Sequence, residues 1–132
     1  MLKGGDALDR LKKLPDTEFK IMLVVWANDP PITTATVMRQ LGDKYHWKAP
    51  TAISLMLRLV KKGFLRTEKK GKERTYYPLV KKGDYLEFET GNFLRQYHGN
   101  SFLSLVNTLY DGKQISDRDI DDLMKLIKER RG

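Results

Sequence analysis

The sequence predicts a mainly α (α+β) fold, in which an N-terminal winged helix-turn-helix with a small β-hairpin wing is followed by a C-terminal helical domain. Three observations predict this fold. Apolar residues recur at helical spacing through residues 16–62, two alternating segments flank a glycine turn within residues 64–79, and helical spacing returns from residue 84. The predicted divisions are a loose N-terminus at 1–13 and domains at 14–80 and 81–132.

The first elements follow from helix caps and helix breakers. Helix 1 is predicted over Thr17–Ala27, with Asp16 capping its first turn and Pro30-Pro31 beyond its end. After the prolines, Ile32-Thr33 could form a very short strand.

Two further helices are predicted before the hairpin. The first should begin at Thr34 as N-cap and end at Gly42, because glycine favours the left-handed conformation after a helix. Tyr45–Lys48 is then a loop. The next helix is predicted over Pro50–Lys62, since proline suits a first turn and Gly63 suits the end.

The hairpin is predicted from two alternating segments, Phe64–Lys69 and Arg74–Leu79, around the turn Lys70-Gly71-Lys72. Pro78 favours the end of a strand or an edge position. A hairpin directly after the third helix is typical of a winged helix-turn-helix, whose third helix enters the major groove of DNA.

Three amphipathic helices are predicted from residue 84 onward. Gly99-Asn100 breaks the first, Ser101 caps the second, and Ser116 with Asp119 resembles a capping box for the third. Helices this short cannot close a good core alone, so a second copy of the chain is favoured as their partner over folding back on the N-terminal domain. The residues expected at the dimer interface are Phe88, Phe93, Leu94, Tyr97, Phe102, Leu105, Val106, Leu109, Ile120, Leu123, Met124 and Ile127.

The positive charge is concentrated in one stretch of the chain. The net charge is +8, and residues 61–82 contain nine basic and two acidic side chains, whereas residues 83–132 contain seven basic and nine acidic ones. Such a cluster indicates a phosphate-binding surface or, alternatively, a solvated basic face without a partner.

Composition also limits the function classes. There are no cysteines, which excludes disulfides and thiol catalysis and fits a reducing, cytoplasmic location. No metalloprotease motif, phosphate loop or nucleophile elbow occurs, and His46 and His98 fall in different predicted domains. We therefore expect no catalytic residues, no cofactor, no metal and, since no long apolar run exists, no membrane span.

The candidate DNA contacts fall on the third helix and on the wing. They are Lys48, Thr51, Ser54, Arg58, Lys69, Lys70, Lys72 and Arg74. Ile53 and Leu57 lie near the same polar face of the helix. They could contact thymine methyl groups, or they could pack on helix 1, and the sequence leaves both open.

Several segments together resemble the BlaI/MecI family of repressors. They are Leu14-Pro15-Asp16-Thr17-Glu18 leading to Val25-Trp26, the run from Thr51 to Leu65, Gly71-Lys72 and Tyr76-Tyr77-Pro78 in the wing, and Phe93-Leu94 in the tail. The resemblance covers nearly the whole chain from Leu14.

The resemblance implies a homodimer that binds palindromic operator DNA and represses β-lactamase or penicillin-binding-protein genes. It also implies a membrane sensor metalloprotease as partner, with inactivation by cleavage in the C-terminal region. The family's Asn-Phe cleavage pair aligns with Thr108-Leu109, where this chain has no such pair. The family usually has polar residues near Ile53 and Leu57, so we expect an operator sequence that differs from those of other family members.

Two other classes compete with this interpretation. One is a one-component, ligand-sensing winged-helix regulator, in which tail aromatic residues, including Tyr85 and Phe88, line a small-molecule pocket. A ligand-dependent thermal shift would identify it. The other is a protein–protein adaptor, which low affinity for duplex DNA at low salt would favour.

Overall fold

The fold is that of a computed structural model, of which residues 11–132 are described. Residues 1–10 of the predicted loose N-terminus lie outside the described residues, and Leu11 packs against the core. The chain divides into two compact units, the first ending at Phe88 and the second spanning Glu89–Gly132.

The first unit contains helices and a small sheet in the predicted order. Its elements are α1 (Asp16–Ala27), β1 (Ile32–Thr33), α2 (Thr34–Val37), a π-helical turn (Met38–Gly42), α3 (Asp43–Tyr45), α4 (Ala49–Lys61), β2 (Leu65–Lys70) and β3 (Glu73–Pro78). The sheet is antiparallel with strand order β1-β3-β2. The predicted mainly helical fold with a hairpin wing is confirmed, and β1 adds a third strand because Ile32 pairs with Tyr76.

Two predicted N-caps are wrong by one residue. Asp16 lies inside α1, and Pro15 holds the N-cap position without a side-chain hydrogen bond. Thr33, rather than Thr34, caps α2, because its extended backbone lets its hydroxyl accept the Thr36 N–H at 3.2 Å.

The predicted end of the second helix at Gly42 is also wrong. Gly42 is buried and keeps a helical φ of −56°, and the helical path continues through the π-helical turn into α3. The left-handed residue that ends it is His46, with a φ of 58°. The predicted loop over Tyr45–Lys48 therefore begins one residue later.

Helix α4 ends just before Gly63, as the sequence predicts. Gly63 has a φ of 83°, its N–H donates to the Val60 carbonyl at 3.0 Å, and the Phe64 N–H donates to the Leu59 carbonyl at 2.9 Å. This pair of hydrogen bonds is a Schellman motif, which turns the chain directly into β2.

One continuous apolar core holds the first unit together. Fully buried side chains come from α1, α4 and the sheet, and include Ile21, Met56 and Tyr76. Glu18 is the buried charged residue among them, and its carboxylate accepts a hydrogen bond from Lys62 Nζ at 2.6 Å. This ion pair ties α1 to the end of α4.

The C-terminal helices are α5 (Lys82–His98), α6 (Phe102–Asp111) and α7 (Asp117–Arg131). The predicted caps are confirmed: Ser101 accepts the Ser104 N–H at 3.0 Å, and Ser116 with Asp119 forms a capping box at α7. No residue between Glu89 and Gly132 is buried.

Candidate nucleic-acid interface

Helix α4 separates its residues into a buried face and an exposed face. Ala52, Leu55, Met56 and Leu59 are buried in the core. The predicted contacts Thr51, Ser54 and Arg58 are exposed. Lys48 is exposed at the N-cap, and its carbonyl accepts the Thr51 N–H at 3.0 Å.

The structure also decides between the two interpretations of Ile53 and Leu57. Ile53 is 37% exposed and Leu57 is 39% exposed, so both lie outside the buried face through which α4 joins the core, and this favours the first interpretation. Both belong to a shallow surface that we call the α4 face. It consists of Pro50, Ile53, Ser54, Leu57, Arg58 and Lys61.

The register of the wing places its basic residues on two different faces. Lys69 pairs with Arg74, and Lys70 pairs with Glu73 across the tip. Because side chains alternate along a strand, Lys69 and Arg74 share the side of the buried Tyr76, whereas Lys70 lies on the outer side. The Gly71-Lys72 turn closes the hairpin, with Gly71 at a φ of 63°.

The inner side of the wing borders a groove that reaches α4 and the start of α2. We call it the wing groove, and its lining is Thr33, Thr34, Ala35, Ile53, Lys69, Lys72, Glu73, Arg74 and Tyr76. Its lining residues include three basic ones, Lys69, Lys72 and Arg74, while the Glu73 side chain alternates to the outer side with Lys70. Ile53 belongs to both the wing groove and the α4 face, so the two surfaces are continuous.

Electrostatics at the wing groove favour an anion. Lys69 and Arg74 carry like charges directly opposite each other, an arrangement that destabilises an isolated sheet. Burial raises the pKa of the Tyr76 phenol, and the positive charge of Arg74 and the nearby Thr34 hydroxyl oppose this rise. The Tyr76 hydroxyl is thus buried in the groove wall without a hydrogen-bond partner.

The outer side of the wing is electrostatically compensated. Arg66 forms an ion pair with Glu68 at 3.0 Å, and its guanidinium lies 4.1 Å from the centre of the Tyr77 ring. Of the four predicted wing contacts, the structure therefore brings Lys69, Lys72 and Arg74 together and leaves Lys70 apart.

These surfaces also contain residues that were not predicted from the sequence. Pro50 and Lys61 belong to the α4 face, and Lys61 could have been found from its spacing of three residues after Arg58. Thr33 and Tyr76 join the wing groove through the pairing of β1 with β3, which no sequence pattern indicates.

The predicted dimerisation residues are placed as follows. Phe93, Tyr97, Phe102, Met124 and Ile127 are exposed. Those half-buried within the second unit are Leu94, Leu105, Val106, Leu109, Ile120 and Leu123.

Phe88 belongs to a different environment from the rest of that set. It packs against the core of the first unit, with its ring 6.2 Å from that of Tyr85. Tyr85 is 2% exposed, and its hydroxyl accepts the Leu14 N–H at 2.8 Å. Tyr85 is therefore a core side chain and Phe88 packs against the core, which disfavours their proposed role in lining a ligand pocket.

Neither metal nor membrane features occur in the described part of the chain. Within residues 11–132, no cluster of His, Asp and Glu could hold a metal ion, and no helix is long and apolar enough to cross a membrane. His46 is exposed after α3, and His98 Nδ1 lies 3.0 Å from the Ser104 hydroxyl.

Comparison with known proteins gives consistent matches. The family model described as Penicillinase repressor matches residues 14–129. The chain is 30% identical over 124 residues to the penicillinase repressor of Bacillus licheniformis, covering 92% of this chain and 96% of that protein. It is 24% identical over 118 residues to the methicillin resistance regulatory protein MecI of Staphylococcus aureus (strain N315), covering 89% and 95% of the two chains.

A solved structure is similar over a shorter region. The solution structure of the DNA binding domain of the repressor BlaI shares 33% identity, with a TM-score of 0.49, over 55% of this chain and 88% of that one. The family model alone assigns the family, because it matches nearly the full length of the chain. The chain belongs to the penicillinase repressor family, a family of DNA-binding transcriptional repressors rather than enzymes.

Proposed function

We propose that this chain represses transcription by binding palindromic operator DNA as a homodimer, and that it controls β-lactam resistance genes. The observation that carries the proposal is the wing groove. Lys69 and Arg74 repel each other there, and Lys72 adds a third positive charge beside the exposed face of α4. A phosphate in this position would relieve the repulsion and release counterions from the DNA.

The docking geometry follows from the helix-turn-helix arrangement. With α4 in the major groove, Thr51, Ser54 and Arg58 face base edges or phosphates, and Lys48 meets the backbone at the start of the helix. The wing groove then covers the neighbouring phosphates, because it is continuous with the α4 face through Ile53.

The experiment is a selection from randomised duplexes with the full chain, followed by fluorescence-anisotropy titrations. The selected duplex is compared with a scrambled duplex of the same composition at 50 and 200 mM salt. If about six to ten phosphates are contacted, affinity should fall about 10³–10⁵-fold between these salt concentrations. Selection of a palindrome supports the proposal, and equal affinity for selected and scrambled duplexes contradicts it.

Dimerisation through the second unit is part of the proposal. No residue of Glu89–Gly132 is buried, and large apolar side chains such as Met124 are exposed there, so a second copy would supply the missing cover. Sedimentation equilibrium should give a dimer for the wild-type chain and a monomer for Met124→Glu. Gln114→Glu adds the same charge at an exposed polar residue and should stay dimeric.

We also propose that the repressor is cytoplasmic and that a membrane sensor metalloprotease inactivates it by cleavage. Thr108 and Leu109 lie in the last turn of α6, where their carbonyls accept the N–H groups of Gly112 at 3.0 Å and Gln114 at 2.8 Å. Cleavage between them requires this turn to open locally. Mass spectrometry of the repressor from β-lactam-treated cells should find a fragment ending at Thr108, and an intact chain in derepressed cells would contradict cleavage.

A further inference from the structure

Two aliphatic side chains on α4 have no role in the core. Ile53 and Leu57 stand one helical turn apart on the exposed side, while the apolar contacts of the helix with the core are made by other residues. The helix thus has a second, smaller apolar stripe. On a surface that is expected to meet DNA, such a stripe favours an occupant with apolar groups of its own.

The surroundings of the stripe restrict that occupant. Arg58 and Lys61 flank Leu57 on the α4 face, and Lys69, Lys72 and Arg74 face Ile53 across the wing groove. A second copy of this surface would bring like charges together, whereas a polyanion complements them. Duplex DNA is such a polyanion, and the apolar group it displays in the major groove is the thymine 5-methyl.

We propose that Ile53 and Leu57 read thymine 5-methyl groups and so set the base preference of this chain at two positions of each half-site. The inference rests on the proposed operator binding and extends it. Ser54 and Arg58, on the same face, supply the polar contacts on either side of the methyl groups.

Helix geometry predicts the spacing of the two thymines. Residues four apart are separated by about 6 Å along a helix axis, and successive bases of one strand are about 3.4 Å apart. Ile53 and Leu57 therefore reach bases about two steps apart. Because Ile53 also lines the wing groove and Leu57 does not, the Ile53 thymine lies nearer the phosphates covered by the wing.

The test uses deoxyuridine, which differs from thymidine only by lacking the 5-methyl group. Each thymine of the selected operator is replaced in both half-sites, and wild-type affinity is measured by fluorescence anisotropy. At the contacted positions we expect a loss of about fourfold per methyl group, or about 15-fold for both half-sites, from the transfer free energy of one carbon unit. At the other thymines affinity should be unchanged.

Variants then assign each methyl group to a side chain. Ile53→Ala and Leu57→Ala should each lose the thymine-over-deoxyuridine preference at one position and retain it at the other, as in a double-mutant cycle. The matched control is Leu23→Ala on α1, because Leu23 is also 39% exposed but lies outside the α4 face. It should keep both preferences.

The outcomes separate this inference from the function on which it rests. If the wild-type chain binds its operator tightly and every deoxyuridine duplex binds equally well, the methyl-reading inference is overturned and operator binding stands. The same holds if both alanine variants keep both preferences. If no duplex is selected at all, the proposed function fails first, and the inference fails with it.

Discussion

Two neighbouring lysines allow the inner and outer sides of the wing to be compared directly. Lys69→Ala and Lys70→Ala remove the same charge from adjacent exposed residues, but Lys69 lines the wing groove and Lys70 does not. Each phosphate contact contributes about 0.9 to the slope of log affinity against log salt. A dimer has two wings, so Lys69→Ala should reduce that slope by about 1.8, and Lys70→Ala should change it far less.

The same two variants should have opposite effects on stability. Lys69→Ala removes the repulsion with Arg74, so the free energy of unfolding should rise by a few tenths of a kcal/mol, since both charges are accessible to solvent. Lys70→Ala loses the attraction to Glu73 across the hairpin, so the free energy of unfolding should fall by about the same amount.

The assays are anisotropy titrations at four or more salt concentrations and urea unfolding of the same preparations. The expected result is a crossed pattern, in which Lys69→Ala weakens DNA binding without destabilising the fold. Equal slopes for Lys69→Ala and wild type would refute the assignment of the wing groove to phosphates. A larger slope change for Lys70→Ala would show that the outer side of the wing meets the backbone instead.

Three further predictions concern stability and can be checked by urea denaturation of the full chain. Lys62→Met leaves the buried Glu18 carboxylate without its ion pair, so the free energy of unfolding should fall by about 1–3 kcal/mol. An unchanged urea midpoint would show that Glu18 needs no partner. Gly63→Ala puts a Cβ on a left-handed residue and should cost about 1 kcal/mol, with no loss expected if the turn relaxes. Tyr76→Phe removes a buried hydroxyl without a partner and should raise stability by up to about 1 kcal/mol, and a loss would imply an unseen hydrogen bond.

Much of the fold could be predicted because local signals and the overall pattern agree. Gly63 has both a helix end before it and a strand after it, and Ser116 with Asp119 has the spacing of a capping box. Each position requires a backbone conformation that few other residues adopt easily. Local chemistry alone was therefore sufficient at these ends.

The boundaries that were wrong depend on packing. Thr33 and Thr34 are equally good caps by chemistry, and the pairing of Thr33 with Thr75 in the sheet extends the backbone at Thr33. Gly42 suggested a helix end, but it is buried, and a Cβ there would lie 2.9 Å from Met38 Cε. Gly42 therefore packs closely against the Met38 side chain inside a helical path, and a sequence pattern cannot distinguish such a glycine from one that ends a helix.

For the candidate site, charge and helical spacing could predict which basic and polar residues are exposed on the wing and on α4, but not how they are arranged. The separation of Lys69 from Lys70 depends on a two-residue turn that fixes the strand register, and the sequence segment Lys70-Gly71-Lys72 left that register open. The phase of Ile53 and Leu57 likewise required knowing which side of α4 meets the core.

Charge distinguishes the exposed apolar side chains of α4 from those of α6 and α7. Ile53 and Leu57 stand among basic residues within or beside the stretch 61–82, which carries nine basic and two acidic side chains. The exposed apolar residues of α6 and α7 lie in the stretch 83–132, where acidic side chains outnumber basic ones by nine to seven. Nearly balanced charge allows one copy of a surface to approach another, whereas a concentrated positive charge opposes self-association and attracts phosphate. The same apolar exposure thus favours a second copy of the chain on α6 and α7, and DNA bases on α4.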